Sequence, residues 1–169
     1  MNKPKILFLV GPMGAGKSAV GRHLARLLHL EFVDSDEEIE TRTGVDIPFI
    51  FEEEGEEGFR KREAKVIDEL SQREGVLLAT GGGAIADPES RSRLDTRGFV
   101  VYLHTGVRQQ LERTQRRRKR PLLENGDKEK VLRELMEQRD PPYREISDLI
   151  IETDGRRVQA VAKASHEVL

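Results

Sequence analysis

Short apolar runs alternate along the chain with longer segments in which apolar and charged residues recur at helical spacing. The runs are Ile6 to Val10, Glu31-Phe32-Val33, Val76 to Ala79, Phe99 to Leu103 and Leu149-Ile150-Ile151. Each is close to continuously apolar, as strands buried on both faces are, and the intervening segments are long enough to be the crossovers that parallel strands need. The pattern predicts an α/β fold of three layers, with five parallel strands in one sheet and helices on both faces. In such sheets ligands collect beyond the carboxyl ends of the strands, so the residues just after each run are the candidates for chemistry.

After the first run stands Gly11-Pro12-Met13-Gly14-Ala15-Gly16-Lys17-Ser18, followed by Ala19 to His29. In that segment Val20, Leu24, Leu27 and Leu28 form a helical stripe that packs on the sheet. The spacing G-x-x-x-x-G-K-S between strand and helix is that of a phosphate-binding loop. Its glycines let the backbone curl so that successive N–H groups converge on phosphate oxygens, and the helix N-terminus adds partial positive charge. Lys17 is placed to reach the outer phosphates and Ser18 to ligate Mg²⁺. The pattern arises by chance in on the order of one chain in a hundred of this length, and more rarely still in the order strand, loop, helix. The chain is therefore read as binding a nucleoside triphosphate.

The other strand ends carry weaker signals. Asp34-Ser35-Asp36 follows the second run. The two carboxylates share a face if the segment stays extended, and Asp36 falls in a first helical turn if Ser35 is an N-cap. Phe49, Phe51 and Phe59 concentrate aromatic residues nearby, as a satellite core or as an apolar wall beside a polar pocket. Glu52 to Glu57 reads as a solvated acidic run, and a long helix carrying Arg60, Arg62 and Glu63 continues to Arg73. Thr80-Gly81-Gly82-Gly83 follows the third run and marks either a tight turn or a close approach to backbone. Asp87-Pro88 reads as an N-cap and first helical residue. The basic run Arg113 to Arg120, with Pro121 and Asn125-Gly126 after it, admits three readings: a solvated face, a nucleic-acid patch, or a mobile lid whose arginines close over phosphates. No aromatic residue interleaves it, which disfavours stacking on single strands. Arg139-Asp140-Pro141-Pro142 interrupts a helical pattern and puts Arg139 at a helix end. Thr153-Asp154-Gly155-Arg156 sits on the last strand's carboxyl end, before a closing helix from Val158 to Leu169.

Composition narrows these readings. The 169 residues fit one domain, and 29 basic against 31 acidic side chains leave a net charge of −2, without overall steering toward nucleic acid or anionic membrane. The absence of cysteine excludes disulfides, thiolate metal sites and cysteine nucleophiles, and fits a cytoplasmic location. The apolar stretch near the start is too short for a signal peptide's core, and no stretch approaches the roughly 20 apolar residues of a membrane span.

Taken together, the features at 34 to 36, 60, 81 to 83, 120 and 139 fall in an order that resembles the shikimate kinases over the length of the chain. Phe59-Arg60-Lys61-Arg62-Glu63, the glycine triplet and Arg120-Pro121-Leu122-Leu123 carry the resemblance. It implies a single kinase domain over 1–169 with the P-loop fold of nucleoside monophosphate kinases, with the phosphate loop at 11–18, a substrate-binding region at about 34–62 and a lid at about 112–126. It further implies transfer of phosphate from ATP to the 3-hydroxyl of shikimate, in aromatic amino acid biosynthesis, with Mg²⁺. By residue, Gly14, Ala15, Gly16, Lys17, Ser18 and Ala19 would hold the ATP phosphates, with Ser18 on the metal and Asp34 acting on it through water. Asp36 would orient or deprotonate the attacking hydroxyl. Arg60, held by Glu63, and Arg139 would pair with the substrate carboxylate, and backbone at Gly81, Gly82 and Gly83 would bind hydroxyls. Arg120 would contact the phosphates from the lid, while Arg113 and Arg156 would flank the adenine. The implied partners are small molecules alone, with neither nucleic acid nor membrane, and the implied state is a monomer. A kinase for another hydroxy acid, such as gluconate, is the alternative within enzymes. A nucleotide-dependent switch is the alternative outside them, against which stands the absence of a guanine-reading Asn-Lys-x-Asp segment.

Overall fold

The computed structural model describes residues 6–116 and 127–169, the side chains of residues 115 and 116 excepted. All five apolar runs are strands: β1 (Ile6–Val10), β2 (Glu31–Asp34), β3 (Val76–Ala79), β4 (Phe99–His104) and β5 (Leu149–Glu152). They form one sheet in the order β2-β3-β1-β4-β5, every neighbouring pair parallel. The three central strands lie almost wholly buried while β2 and β5 form the exposed edges, which is why the central runs are the most uniformly apolar.

Alternation along each strand divides the core into two layers. Leu7 and Leu9 of β1 face the helices α1 (Lys17–Leu28) and α7 (Val158–Val168), packing with Val20, Leu24, Val161 and Ala162. Ile6, Phe8 and Val10 face the opposite way. There they meet Ile39 of α2 (Ser35–Thr43), Phe59 and Ile67 of α3 (Ile47–Leu70), Leu94 of α4 (Pro88–Arg97) and Tyr143 of α6 (Lys128–Ile146). The remaining described α-helix, α5 (Val107–Arg116), follows β4 and packs beside α6.

Strand register brings the candidate residues to one rim. Asp34 stands opposite Ala79, and Ala79 opposite Leu9, so β1, β2 and β3 end side by side. The chain beyond them is the phosphate loop, the Asp34-Ser35-Asp36 segment and the glycine triplet. The Thr80 N–H continues the ladder onto the Leu9 carbonyl, which ties the start of the triplet to the loop strand.

Local details differ from the expectations in three places. Asp34, not Ser35, caps α2: its Oδ1 accepts the N–H groups of Asp36 and Glu37, and Ser35 is already helical. The helix carrying Arg60 begins at Ile47, so the acidic run lies within it, with a break at Gly55, whose φ of 72° no ordinary helical residue adopts. Finally, α6 runs through Pro141 and Pro142 to Ile146, leaving Arg139 inside the helix rather than at its end. Asp87 caps α4 ahead of Pro88, as expected.

Candidate active site

The phosphate loop turns from β1 into α1 at Gly16, which adopts φ 83° and ψ 26° and gives the helix no side-chain cap. The first-turn N–H groups of α1 thus face outward without a side-chain acceptor among the described residues, the arrangement in which a helix start receives an anion. Lys17 Nζ arches over the loop and donates to the carbonyls of Gly11 at 2.6 Å and Pro12 at 2.9 Å. From α5, Arg113 donates to the Gly14 carbonyl at 2.9 Å, and a Cβ at Gly16 would stand 2.9 Å from the same guanidinium nitrogen. Ala15 is buried beneath the loop and Ala19 partly buried behind it.

Ser18 Oγ donates to Asp34 Oδ2 at 2.7 Å, while Asp34 Oδ1 serves the start of α2. One carboxylate therefore fixes both the hydroxyl at the mouth of the loop and the helix that carries Asp36. A hydroxyl and a carboxylate oxygen held together beside a phosphate cup are hard donors. Mg²⁺ takes such donors, being held by few protein ligands while keeping waters and phosphate oxygens for the rest. Among the described residues no cluster of three or more acidic or imidazole groups forms a fuller metal cage.

Beside the loop opens a cavity of about 340 Å³. Met13 and Ser18 line it from the loop, Asp34 and Asp36 from the β2–α2 junction, and Ile47, Pro48, Phe51, Phe59, Arg60 and Glu63 from α3. Gly81, Gly82 and Gly83 line it from the end of β3 and Arg139 from α6. A smaller cavity of about 50 Å³ over Gly14, Gly16 and Lys17 shares Met13, Ser18, Asp34, Asp36, Gly81 and Gly82 with the larger one. An anion on the loop and a molecule in the large cavity would accordingly be neighbours, with Asp36 common to both. Phe51 and Phe59, whose ring centroids lie 4.9 Å apart, belong to both expected roles, since they wall the cavity and pack against the core.

The glycine triplet is a place of close approach. A Cβ at Gly81 would meet Asp36 Oδ1 at 2.7 Å and Glu63 Oε2 at 2.9 Å, and a Cβ at Gly83 would overlap the Arg60 guanidinium. Side chains that reach the cavity from α2 and α3 thus take up the room a triplet side chain would fill. The triplet is itself pinned from two helices: Gly81 N–H donates to Ser35 Oγ at 3.2 Å, and the Tyr143 hydroxyl donates to the Gly82 carbonyl. The sequence offers Ser35 only as a cap candidate and gives Tyr143 no role, because each acts on the triplet backbone through tertiary contact.

The charges here are held by burial. Arg60 donates to Glu63 Oε1 at 2.8 Å; burial pulls the guanidinium's pKa down, but the Glu63 carboxylate outweighs it and the net shift is upward. Glu63 is 3% exposed, and its other oxygen has no hydrogen-bond partner among the described residues. Burial pushes its carboxyl up in spite of Arg60 and Arg139. Arg139, 9% exposed, makes no hydrogen bond or ion pair among the described residues. Burial, with Arg60 nearby, lowers its pKa from the usual guanidinium value. A guanidinium stays charged in a protein, so this is a buried cation aimed into a cavity, and it calls for an anion.

The structure therefore gathers Gly14, Gly16, Lys17, Ser18, Asp34, Asp36, Arg60, Gly81, Gly82, Gly83 and Arg139 at one rim, with Arg113 at the loop's back. Arg156 is on the same rim but exposed, in the turn where its N–H donates to the Thr153 carbonyl. Arg120 and most of the expected lid lie outside the described residues.

Comparison with known proteins agrees along the chain. The family model for shikimate kinase matches residues 13–169. A shikimate kinase of Halorhodospira halophila is 58% identical over 98% of this chain and 94% of its own. The solved structure of shikimate kinase from Acinetobacter baumannii in complex with shikimate is 52% identical, with a TM-score of 0.94 over 97% of this chain and 92% of that one. A gluconokinase from Sinorhizobium meliloti is 17% identical with a TM-score of 0.64 over 99% of this chain and 92% of its own, a likeness of fold alone.

Proposed function

The chain belongs to the shikimate kinase family, and from that premise we infer that this site transfers the γ-phosphoryl group of ATP to the 3-hydroxyl of shikimate, releasing shikimate 3-phosphate and ADP. The observation that carries the reading is Arg139: a buried guanidinium whose side chain makes no hydrogen bond or ion pair among the described residues, in a cavity that merges with a phosphate cup. With Arg60 beside it, the pair offers a carboxylate two charge-assisted donors, and a guanidinium fork can engage both its oxygens. The apolar wall of Phe51 and Phe59 suits a carbon ring, and backbone at Gly81 to Gly83 supplies polar contacts for ring hydroxyls.

Phosphoryl transfer asks the protein for alignment and charge stabilisation more than for covalent chemistry. Asp36 accepts a hydrogen bond from the attacking hydroxyl and points its oxygen at the γ-phosphorus. A new P–O bond forms there as the bond to the β-phosphate bridging oxygen breaks, and the hydroxyl proton departs on the Asp36 side. Lys17 and the first-turn N–H groups of α1 stabilise negative charge spread over the phosphates. Ser18, and Asp34 through water, would hold Mg²⁺, which when bound neutralises the β- and γ-phosphate oxygens. Arg113 and Arg156 would flank the base, and the role of Arg120 on the phosphates falls to a residue outside the described ones. The whole chain acts as one kinase domain and a monomer, with small-molecule partners. None of the described helices is long and apolar enough to cross a membrane.

A coupled assay of ADP release tests the substrate. With Mg·ATP present, shikimate is expected to give turnover, with quinate and gluconate at least about a hundredfold poorer in kcat/KM, the scale set by leaving buried charged or polar groups unmatched. Gluconate turning over as well as shikimate would overturn the assignment.

A further inference from the structure

Three glycines in a row have more backbone freedom than other residues would, yet the triplet must present donors in fixed directions. Its carbonyls show how it is held. Gly81 C=O accepts the Ala84 N–H at 3.2 Å, and Gly83 C=O accepts the Ala86 N–H at 3.1 Å, both within the local turn. Gly82 C=O is different, because its partner is the hydroxyl of Tyr143, 61 residues later on α6. Among the described residues neither the Gly82 nor the Gly83 N–H donates to a protein acceptor, and both glycines line the large cavity. Tyr143 is 1% exposed and does not line that cavity.

Peptide planarity turns these facts into a direction. In a trans peptide the C=O of one residue and the N–H of the next point to opposite sides, and no cis peptide occurs among the described residues. Holding the Gly82 carbonyl on Tyr143 therefore sends the Gly83 N–H away from that hydroxyl, and Gly83 lines the cavity. We propose that Tyr143 is a positioning residue for the acid substrate: its buried hydroxyl fixes the Gly82–Gly83 peptide plane so that the Gly83 N–H is presented to a substrate hydroxyl. The inference rests on the kinase reading above and deepens it.

Three further observations support it. Tyr143 is itself clamped: its ring stacks on Tyr102 with centroids 4.7 Å apart, and the Tyr102 hydroxyl donates to Asp140 Oδ1 at 2.7 Å, one turn back on α6. Burial keeps the Tyr143 phenol well above its ordinary pKa, so the hydroxyl stays a donor across the working pH range. Tyr143 also stands four residues after Arg139, so one face of α6 both receives the carboxylate and sets the donor for the ring.

The test is Tyr143→Phe in the full chain, assayed with shikimate and Mg·ATP varied separately. Loss of one hydrogen bond at a site of this kind is expected to raise KM for shikimate about tenfold, leaving KM for ATP within about twofold. Shikimate binding measured by calorimetry should weaken by the same factor, which separates the effect from any loss of folded protein. Tyr102→Phe, which removes the contact with Asp140 but not that with Gly82, should lower Tm without splitting the two KM values. Equal rises in both KM values for Tyr143→Phe, or no rise in either, would overturn the proposal. Failure of the wild-type protein to phosphorylate shikimate would instead overturn the kinase reading, so the two failures are distinct.

Discussion

At the scale of single residues, the site is built by what is missing as much as by what is present. Gly83 leaves room that the Arg60 guanidinium fills, and Gly81 leaves room for the carboxylates of Asp36 and Glu63. Gly83→Ala would put a methyl group where that guanidinium lies. The obstacle is the far end of a long side chain, so Arg60 can swing aside, but it then leaves its place in the cavity and its bond to the buried Glu63 carboxylate. The expected result is a KM for shikimate raised about tenfold, the scale of one charge-assisted hydrogen bond, with Tm lowered as Glu63 loses its partner. A variant that melts early and keeps its KM would show that the glycine serves the backbone alone. Asp36→Asn tests a different contribution. It keeps the shape and can still hold a hydroxyl but cannot accept the proton, so kcat should fall by about 10²–10⁴, the range for a positioned proton acceptor. ATP affinity, measured by calorimetry, should stay near that of the wild type, and wild-type kcat would remove Asp36 from its role.

At the scale of elements, α6 is where reading from sequence and reading from structure part. Two prolines in succession normally end a helix, because each lacks an N–H and crowds the preceding turn. In α6 the lost donors would have served the carbonyls of Glu137 and Gln138, and the helix continues because Leu132, Arg139, Tyr143 and Ile146 are buried on one face. Tertiary burial overrides local propensity, and such burial is invisible in a propensity pattern. Pro142→Ala would restore one i→i−4 bond and is expected to stabilise the protein by about 1–3 kcal/mol, read as a higher Tm or a higher denaturant midpoint. A lower Tm would mean that the prolines shape the turn that carries Arg139. The strands, by contrast, were legible because a parallel strand buried on both faces leaves a contiguous apolar run. The phosphate loop was legible because its glycine spacing is dictated by local backbone curvature. Asp34 as the cap of α2 was not, since Asp and Ser are both good caps and only tertiary geometry gives Asp34 its second partner in Ser18.

At the scale of the molecule, the central fact is that one rim of one sheet serves two ligands. Register sets the ends of β1, β2 and β3 level, and the two cavities there share residues but differ in their anion receptors: the loop with Lys17 for one, Arg60 and Arg139 for the other. Arg139 approaches from α6, which neither precedes nor follows any of those three strands, so its removal should affect one ligand only. Linkage makes this measurable on the whole fold. A ligand at 100 times its Kd stabilises the native state by about 2.7 kcal/mol, which for a chain of this length raises Tm by about 5–11 °C. The wild-type protein should show separate increments of that size with shikimate and with Mg·ATP. Arg139→Ala, which relieves a buried cation of its desolvation, should fold at least as stably as the wild type and lose the shikimate increment at the same concentration while keeping that of the nucleotide. Retention of both increments would mean that the carboxylate is received elsewhere, and loss of both would make Arg139 a support for the entire rim.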